Sequence, residues 1–178
     1  MKILIFADSH GHTIDMYGLI ESLVPDAVIH LGDHYEDACD LRRSYPNLPI
    51  YAVRGNNDFE PDAPITAVIA PEGVRMYLTH GHRDRVCWSD SGLVAAHAAE
   101  QGCALALYGH SHLCNDTVEQ GVRVMNPGSI SLPRSGRGSC ILMEIENEQI
   151  LSAVFLDTQG APYPQDAAPK KKKRFGWF

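Results

Sequence analysis

Met1-Lys-Ile-Leu-Ile-Phe-Ala-Asp-Ser-His-Gly-His12 opens the chain, and the fold is decided by how this stretch is read. Ile3 to Ala7 is an unbroken apolar run of β-branched, aliphatic and aromatic side chains. A strand covered by helices on both faces reads this way, because it has no wet side. The run stops at Asp8-Ser9-His10. Two metal-ligand side chains therefore stand one residue apart at the carboxyl end of a buried strand. In open α/β sheets that edge is where ligands bind. A single Asp-x-His reads equally well as a capped turn, but similar punctuation recurs along the chain.

Working outward, Thr13 to Val24 reads as a helix stopped by Pro25, and Ala27 to Leu31 as a second short strand ending in Gly32-Asp33. Glu36 to Ser44 reads as a second helix closed by Pro46. Ile50 to Val53 is a third strand, ending in Arg54-Gly55-Asn56-Asn57-Asp58. This β-α-β-α-β rhythm predicts an α/β fold with parallel strands under helices. The rhythm then changes. Thr66 to Ala70 and Val74 to Thr79 flank the turn Pro71-Glu72-Gly73 and read as an antiparallel hairpin ending in His80-Gly81-His82. A helix over 91–101 leads to the strand Ala104 to Tyr108, which ends in Gly109-His110-Ser111-His112. Two further hairpins, over 117–124 and 140–155, flank a turn-rich loop over 126–134. One domain is expected over 1–156, followed by a Pro-, Gly- and Lys-rich tail over 157–178.

Composition narrows the setting. The 178 residues suit one domain, and 44% hydrophobic with 21% charged residues is ordinary for a soluble globular protein. No apolar stretch is long enough to span a bilayer, and the opening strand lacks a signal peptide's cleavage region, so a cytoplasmic protein is expected. The five cysteines (Cys39, Cys87, Cys103, Cys114, Cys140) form no C-x-x-C pair. They read as small buried hydrophobes rather than disulfide partners or thiolate ligands. Lys170 to Arg174 hold five of the 15 basic residues, leaving ten against 22 acidic ones, a balance of −12 for the remainder. A body of that charge repels nucleic-acid backbones, so nucleic acid is not an expected partner.

Five strand ends thus carry ligand-grade residues: Asp8 and His10, Asp33, Asn56, His80, and His110 with His112. Any one of them reads as a turn or cap residue, but five at one sheet edge predict a metal site. Two carboxylates, an amide and four imidazoles without a thiolate suit manganese, iron, nickel, cobalt or zinc. Seven ligands exceed what one catalytic ion with an open position needs. They fit two ions sharing a carboxylate, about 3.5–4 Å apart in such sites.

These blocks, Asp8-x-His10, Gly32-Asp33, Gly55-Asn56-x-Asp58, His80-Gly81-His82 and Gly109-His110-x-His112, resemble the five-block signature of the calcineurin-like metallophosphoesterases. The resemblance runs from residue 1 to about 155 and is closest to the small single-domain bacterial and archaeal phosphodiesterases. Asn126-Pro127-Gly128-Ser129 looks like a further mark of that branch. The resemblance implies a four-layer α-β-β-α sandwich of two mixed sheets. It implies one metal held by Asp8, His10, Asp33 and His112, and another by Asp33, Asn56, His80 and His110. It further implies hydrolysis of a small phosphodiester, or a phosphomonoester, by a hydroxide that two divalent cations, manganese first, generate from water. A homo-oligomer, dimer or tetramer, stays open, because the sequence does not choose the assembly.

One departure stands out. Many relatives read Gly-Asn-His-Asp where this chain has Asn57, and that histidine is thought to protonate the leaving oxygen. An amide has no proton to transfer near pH 7. Asn57, Asp58 and His82 form the expected catalytic set, with His12 and His34 as other possible proton donors; each histidine alternatively has a structural role. His97 reads as a surface or packing residue and His30 as a core one. Arg54, Asn57 and Arg134 are the expected substrate contacts, a guanidinium meeting phosphate with paired donors. The alternatives are a strand-end salt bridge for Arg54 and a solvated loop charge for Arg134. The tail Lys170 to Phe178 reads as solvated disorder, a docking segment anchored by Phe175, Trp177 and Phe178, or an anionic-surface attachment. The rival to an enzyme is a metal-bearing, non-catalytic scaffold of the same fold, as in a eukaryotic retromer subunit; the complete ligand set speaks for chemistry.

Overall fold

A computed structural model describes residues 1–86, 91–134 and 136–163. β1 (Lys2–Phe6), α1 (Ile14–Leu23), β2 (Ala27–His30), α2 (Tyr35–Ser44) and β3 (Ile50–Ala52) form the expected β-α-β-α-β unit. β9 (Ser139–Glu146) and β10 (Gln149–Asp157) complete a mixed five-stranded sheet in the order β10-β9-β1-β2-β3. β4 (Thr66–Ile69), β5 (Met76–Thr79), β6 (Leu105–Leu107), β7 (Cys114–Glu119) and β8 (Val122–Pro127) form a second, ordered β4-β5-β6-β8-β7. α3 (Gly92–Glu100) packs on the outer face of the second sheet.

The alternation of side chains along β1 explains its unbroken apolar run. Ile3, Ile5 and Ala7 face the layer between the sheets, with Met76, Leu78, Leu107, Ile141 and Met143. Leu4 and Phe6 point the other way, to Met16, Leu19 and Ile20 of α1 and to Ala38 and Leu41 of α2. A strand apolar on both faces needs two covers, and the result is the four-layer α-β-β-α sandwich.

Register then positions the site. β1 pairs in parallel with β2, with Phe6 opposite His30. The carboxyl ends of the two strands are therefore level. The pairing runs on into the loops, where Asp8 N–H donates to Gly32 O at 3.0 Å and His10 N–H to Asp33 O at 3.2 Å. In the second sheet β5 pairs in parallel with β6, and Gly109 N–H donates to His80 O at 3.1 Å.

Boundaries differ from the sequence reading in several places, two of which bear on the site and the core. β8 runs through Asn126 and Pro127, so the loop begins at Gly128 rather than 126. The domain also continues past residue 156: Tyr163 N–H donates to Phe155 O at 2.7 Å, Pro162 bridges to Leu156, and the Tyr163 side chain joins the central core. Composition flagged 157–163 as tail, whereas a turn over Asp157–Gly160 folds this piece back onto β10. The basic and aromatic run from Lys170 to Phe178 lies outside the described residues, as does Cys87. Cys103 and Cys140 are buried as expected, but Cys39 and Cys114 are only half-buried. Among the described residues no helix is long and apolar enough to cross a membrane.

Candidate metal centre

The carboxyl ends of β1, β2, β5 and β6 deliver two overlapping groups of ligand atoms. Asp8, His10, Asp33 and His112 form one, and Asp33, His80 and His110 the other; within each group the ligand atoms lie within 4.8 Å of one another. Asp33 belongs to both. His80 Nε2 lies 3.3 Å from Asp33 Oδ1, His10 Nε2 lies 3.8 Å from Asp33 Oδ2, and His112 Nε2 lies 3.5 Å from Asp8 Oδ1. Asp8, Asp33 and His80 are buried and form the floor, while His10, His110 and His112 are half-buried and form the mouth.

Backbone conformation is tuned to this convergence. Asp8, His10, Asp33, His110 and His112 all sit in the left-handed region, with φ between 48° and 65°. Such conformations cost about 1–3 kcal/mol each and concentrate at functional sites. Glycine is required where the floor closes: a Cβ on Gly55 would strike Asp33 Oδ1, and one on Gly32 would meet Gly55 N at 2.6 Å.

The imidazoles are aimed by their far nitrogens. His80 Nδ1 donates to Leu31 O at 2.7 Å and His112 Nδ1 to Leu132 O at 2.6 Å, which turns each Nε2 inward; that of His112 meets His10 Nε2 at 3.3 Å. His110 N–H donates to both Asp8 oxygens at 3.1 Å. Burial pushes the Asp8 carboxyl up to about 6, against the pull of His80 and His112. Burial acts on Asp33 too, yet the adjoining His80 ring and the Asn57 N–H hold its carboxyl below the usual range. His80, despite its burial, is raised by the Asp33 and Asp8 carboxylates. Burial and the neighbouring His80 ring push His110 down to about 4. His80 Nε2 is buried and makes no hydrogen bond. A buried lone pair without a donor, among facing carboxylates and imidazoles, fits a divalent cation.

The other expected site residues divide. Asn57 reaches Asp33, its backbone N–H donating to Oδ1 at 3.0 Å and its Nδ2 to Oδ2 at 2.8 Å. Asn56 is exposed, and its side chain makes no hydrogen bond among the described residues. Asp58, expected in the catalytic set, instead accepts the backbone N–H groups of Gly55, Asp33, His34 and Tyr35 at 2.6–3.1 Å. Its oxygens are occupied in capping α2 and fastening the Asp33 loop, a positioning role. The His82 ring lies 5.5 Å from His80 and 6.4 Å from His110, and burial and the charge of His80 lower its pKa. Arg54 is turned to its own loop, Nη1 donating to Glu60 O at 3.2 Å, and not to the ligands. Arg134 is exposed at the rim, its N–H donating to His112 O at 3.2 Å. His12 is exposed, and His34 is bound to Asp37.

Sequence reasoning assigned no role to Asn126 at the end of β8 or to Ser129 and Ser131 in the loop that follows. Ser129 Oγ donates to Asp8 O at 2.7 Å, Ser131 Oγ to Ser9 O at 2.8 Å, and Asn126 Nδ2 to Gly109 O at 2.7 Å. They tie the β1 and β6 loops together from above. The Asn126-Pro127-Gly128-Ser129 motif marked the place without revealing the contacts.

The family model described as the calcineurin-like phosphoesterase superfamily domain matches residues 1–148. YsnB of Bacillus subtilis, a probable metallophosphoesterase, is 32% identical over 152 residues, spanning 83% of this chain and 86% of its own. The phosphodiesterase YfcE of Escherichia coli is 33% identical over 118 residues, 62% of this chain and 59% of its own. Among solved structures, a Streptococcus pneumoniae protein described as a predicted phosphoesterase has a TM-score of 0.75 at 30% identity, covering 92% of this chain and 93% of its own. Vps29 of Entamoeba histolytica, solved with zinc, shares the fold at a TM-score of 0.69 and 19% identity, covering 87% of this chain and 97% of its own.

Proposed function

The chain belongs to the calcineurin-like phosphoesterase superfamily, and from that premise we propose that it is a two-metal hydrolase of small phosphodiesters, with phosphomonoesters as secondary substrates. The observation that carries the reading is the place of Asp33 in both ligand groups. Asp8, His10, Asp33 and His112 would hold one ion; Asp33, His80, His110 and Asn56, whose amide is uncommitted, would hold the other. The oxygen and imidazole donor set favours manganese, with iron, nickel, zinc and cobalt as alternatives. Bound cations of this kind lower the pKa of water and neutralise charge developing on a phosphoryl group. YfcE's name supports the diester preference.

The chain's own residues supply the rest. Asn57 steadies the bridging carboxylate through two hydrogen bonds and offers a phosphate oxygen no transferable proton. Arg134 at the rim is the phosphate contact we retain, and Arg54 is set aside because its guanidinium serves its own loop. We assign His82, whose ring lies beside those of His80 and His110, to meet a leaving oxygen. The fold shared with Vps29 supports a second reading, a metal-bearing scaffold without turnover. Turnover of bis-(4-nitrophenyl) phosphate with added manganese, abolished by a chelator and by His110→Ala, is expected. No turnover with manganese, nickel, cobalt, iron or zinc would favour the scaffold.

A further inference from the structure

Behind the first ligand group lies a chain of polar side chains sealed from water. His30 and Ser9 are 0% exposed and Asp37 is 3% exposed. Gly32 N–H donates to His30 Nδ1 at 3.3 Å, which places the ring proton on Nε2. Nε2–H then donates to Ser9 Oγ at 2.8 Å, and the Ser9 hydroxyl donates to Asp37 Oδ2 at 2.6 Å. Gly11 N–H donates to the same oxygen at 2.9 Å, and His34 Nδ1 donates to Asp37 Oδ1 at 2.9 Å. The short bonds of the chain run toward Asp37; Ser9 Oγ also lies 3.5 Å from Asp33 O, a far longer contact. Burial pushes the His30 imidazole down to about 4, which keeps it in the neutral form this pattern needs.

The network grips one ligand in particular. Ser9 and Gly11 flank His10, and both are bound to the same Asp37 oxygen. His10 itself sits at φ 48°, a conformation that relaxes unless its neighbours are held. Asp33 has support of its own from Asn57 and Asp58. Among the described residues, none of the side chains of His30, Ser9, Asp37 and His34 hydrogen-bonds the loops carrying His80 and His110.

We propose that His30, Ser9 and Asp37 are positioning residues for one ion only, the one held by Asp8, His10, Asp33 and His112, so that the two ions bind with separately adjustable affinities. This rests on the two-metal reading. The test is titration of metal-free full-length protein with manganese, followed by calorimetry and electron paramagnetic resonance, on wild type, Ser9→Ala, His30→Leu and His30→Gln. Wild type is expected to take up two ions. In Ser9→Ala and His30→Leu one ion should weaken by about 10–100-fold, the usual cost of losing an outer partner of a ligand, while the other stays within about threefold. His30→Gln returns a donor near the Nε2 position and should recover most of the loss. Should His30→Leu not fold, Ser9→Ala, which removes a single oxygen, carries the same comparison. Equal weakening of both ions, or lowered thermal stability with both affinities unchanged, would overturn the proposal. Because the readout is binding, a wild type that takes two ions yet hydrolyses no ester would overturn the proposed activity and leave this inference standing. A wild type that takes only one ion would overturn the two-metal reading itself.

Discussion

Two candidate ligand histidines on opposite sheets are braced by related devices with different backing. His10 is flanked by Ser9 and Gly11, both bound to the buried Asp37. His80 is flanked by Thr79 and Gly81. Thr79 Oγ1 donates to the buried Asp84 at 3.0 Å and accepts from Gly81 N–H at 3.2 Å. Each aspartate is finished by a histidine, His34 on Asp37 and His97 on Asp84, the latter at 2.7 Å. The difference lies behind the hydroxyl. The two closing histidines are alike, with His34 48% and His97 44% exposed, but Ser9 is also backed by the fully buried His30, whereas among the described residues no histidine hydrogen-bonds Thr79. Water can replace a partner at the surface, but not one inside. The buried members of each brace, Asp37 and His30 above all, are therefore expected to matter far more than the exposed closing histidines His34 and His97.

The largest effect should come from removing a hub. Asp37→Ala leaves Ser9, Gly11 and His34 without their acceptor, and a loss of about 3–5 kcal/mol is expected in urea unfolding, as when one partner of a buried charged network is deleted. His97→Ala should cost below about 1 kcal/mol, because its pairing is solvent-screened. Similar losses for the two would end the comparison.

Acid titration sharpens it. Burial pushes the His30 imidazole from its ordinary 6.5 down to about 4 in the folded chain. The unfolded chain therefore binds a proton first as pH falls, so this contribution is complete above pH 6.5 and is lost toward pH 4. Its upper bound is about 3 kcal/mol. In metal-free protein, His30→Gln should flatten the stability profile between those two pH values relative to wild type. An unchanged slope would mean that His30 takes up its proton with no penalty from burial.

These braces were illegible in the sequence, and the reason is physical. The ligand blocks could be read because each ends a strand, and local pattern reports strand ends. Ser9, Asp37 and His30 come from three different elements, and only the level ends of β1 and β2 bring them together. Asp58 shows the converse: its place in the Gly55 block suggested chemistry, whereas the fold commits it to four backbone N–H groups. The layered fold was legible because β1 is apolar on both faces, but the seven residues after 156 were not, since their packing depends on one turn and on Tyr163.

A smaller effect concerns the Asp33 neighbour. General acid help is worth about 10²–10⁴-fold and matters most when the leaving oxygen is basic. Wild-type rates should fall steeply from nitrophenyl to alkyl esters, and Asn57→His should recover part of that fall at matched metal occupancy. Equal slopes for the two proteins would mean that another residue, His82 first, already supplies the proton. Smallest of all, removal of 165–178 is expected to leave metal binding and thermal stability unchanged; loss of either would show that the segment packs on the body.

The most direct measurement is the number of manganese ions per chain at saturation, with their magnetic coupling, in wild type and Asp33→Asn. If Asp33 bridges, wild type holds two coupled ions and hydrolyses an aryl diester, and Asp33→Asn loses the coupled pair and the activity together. At most one uncoupled ion in saturated wild type would contradict the two-metal centre.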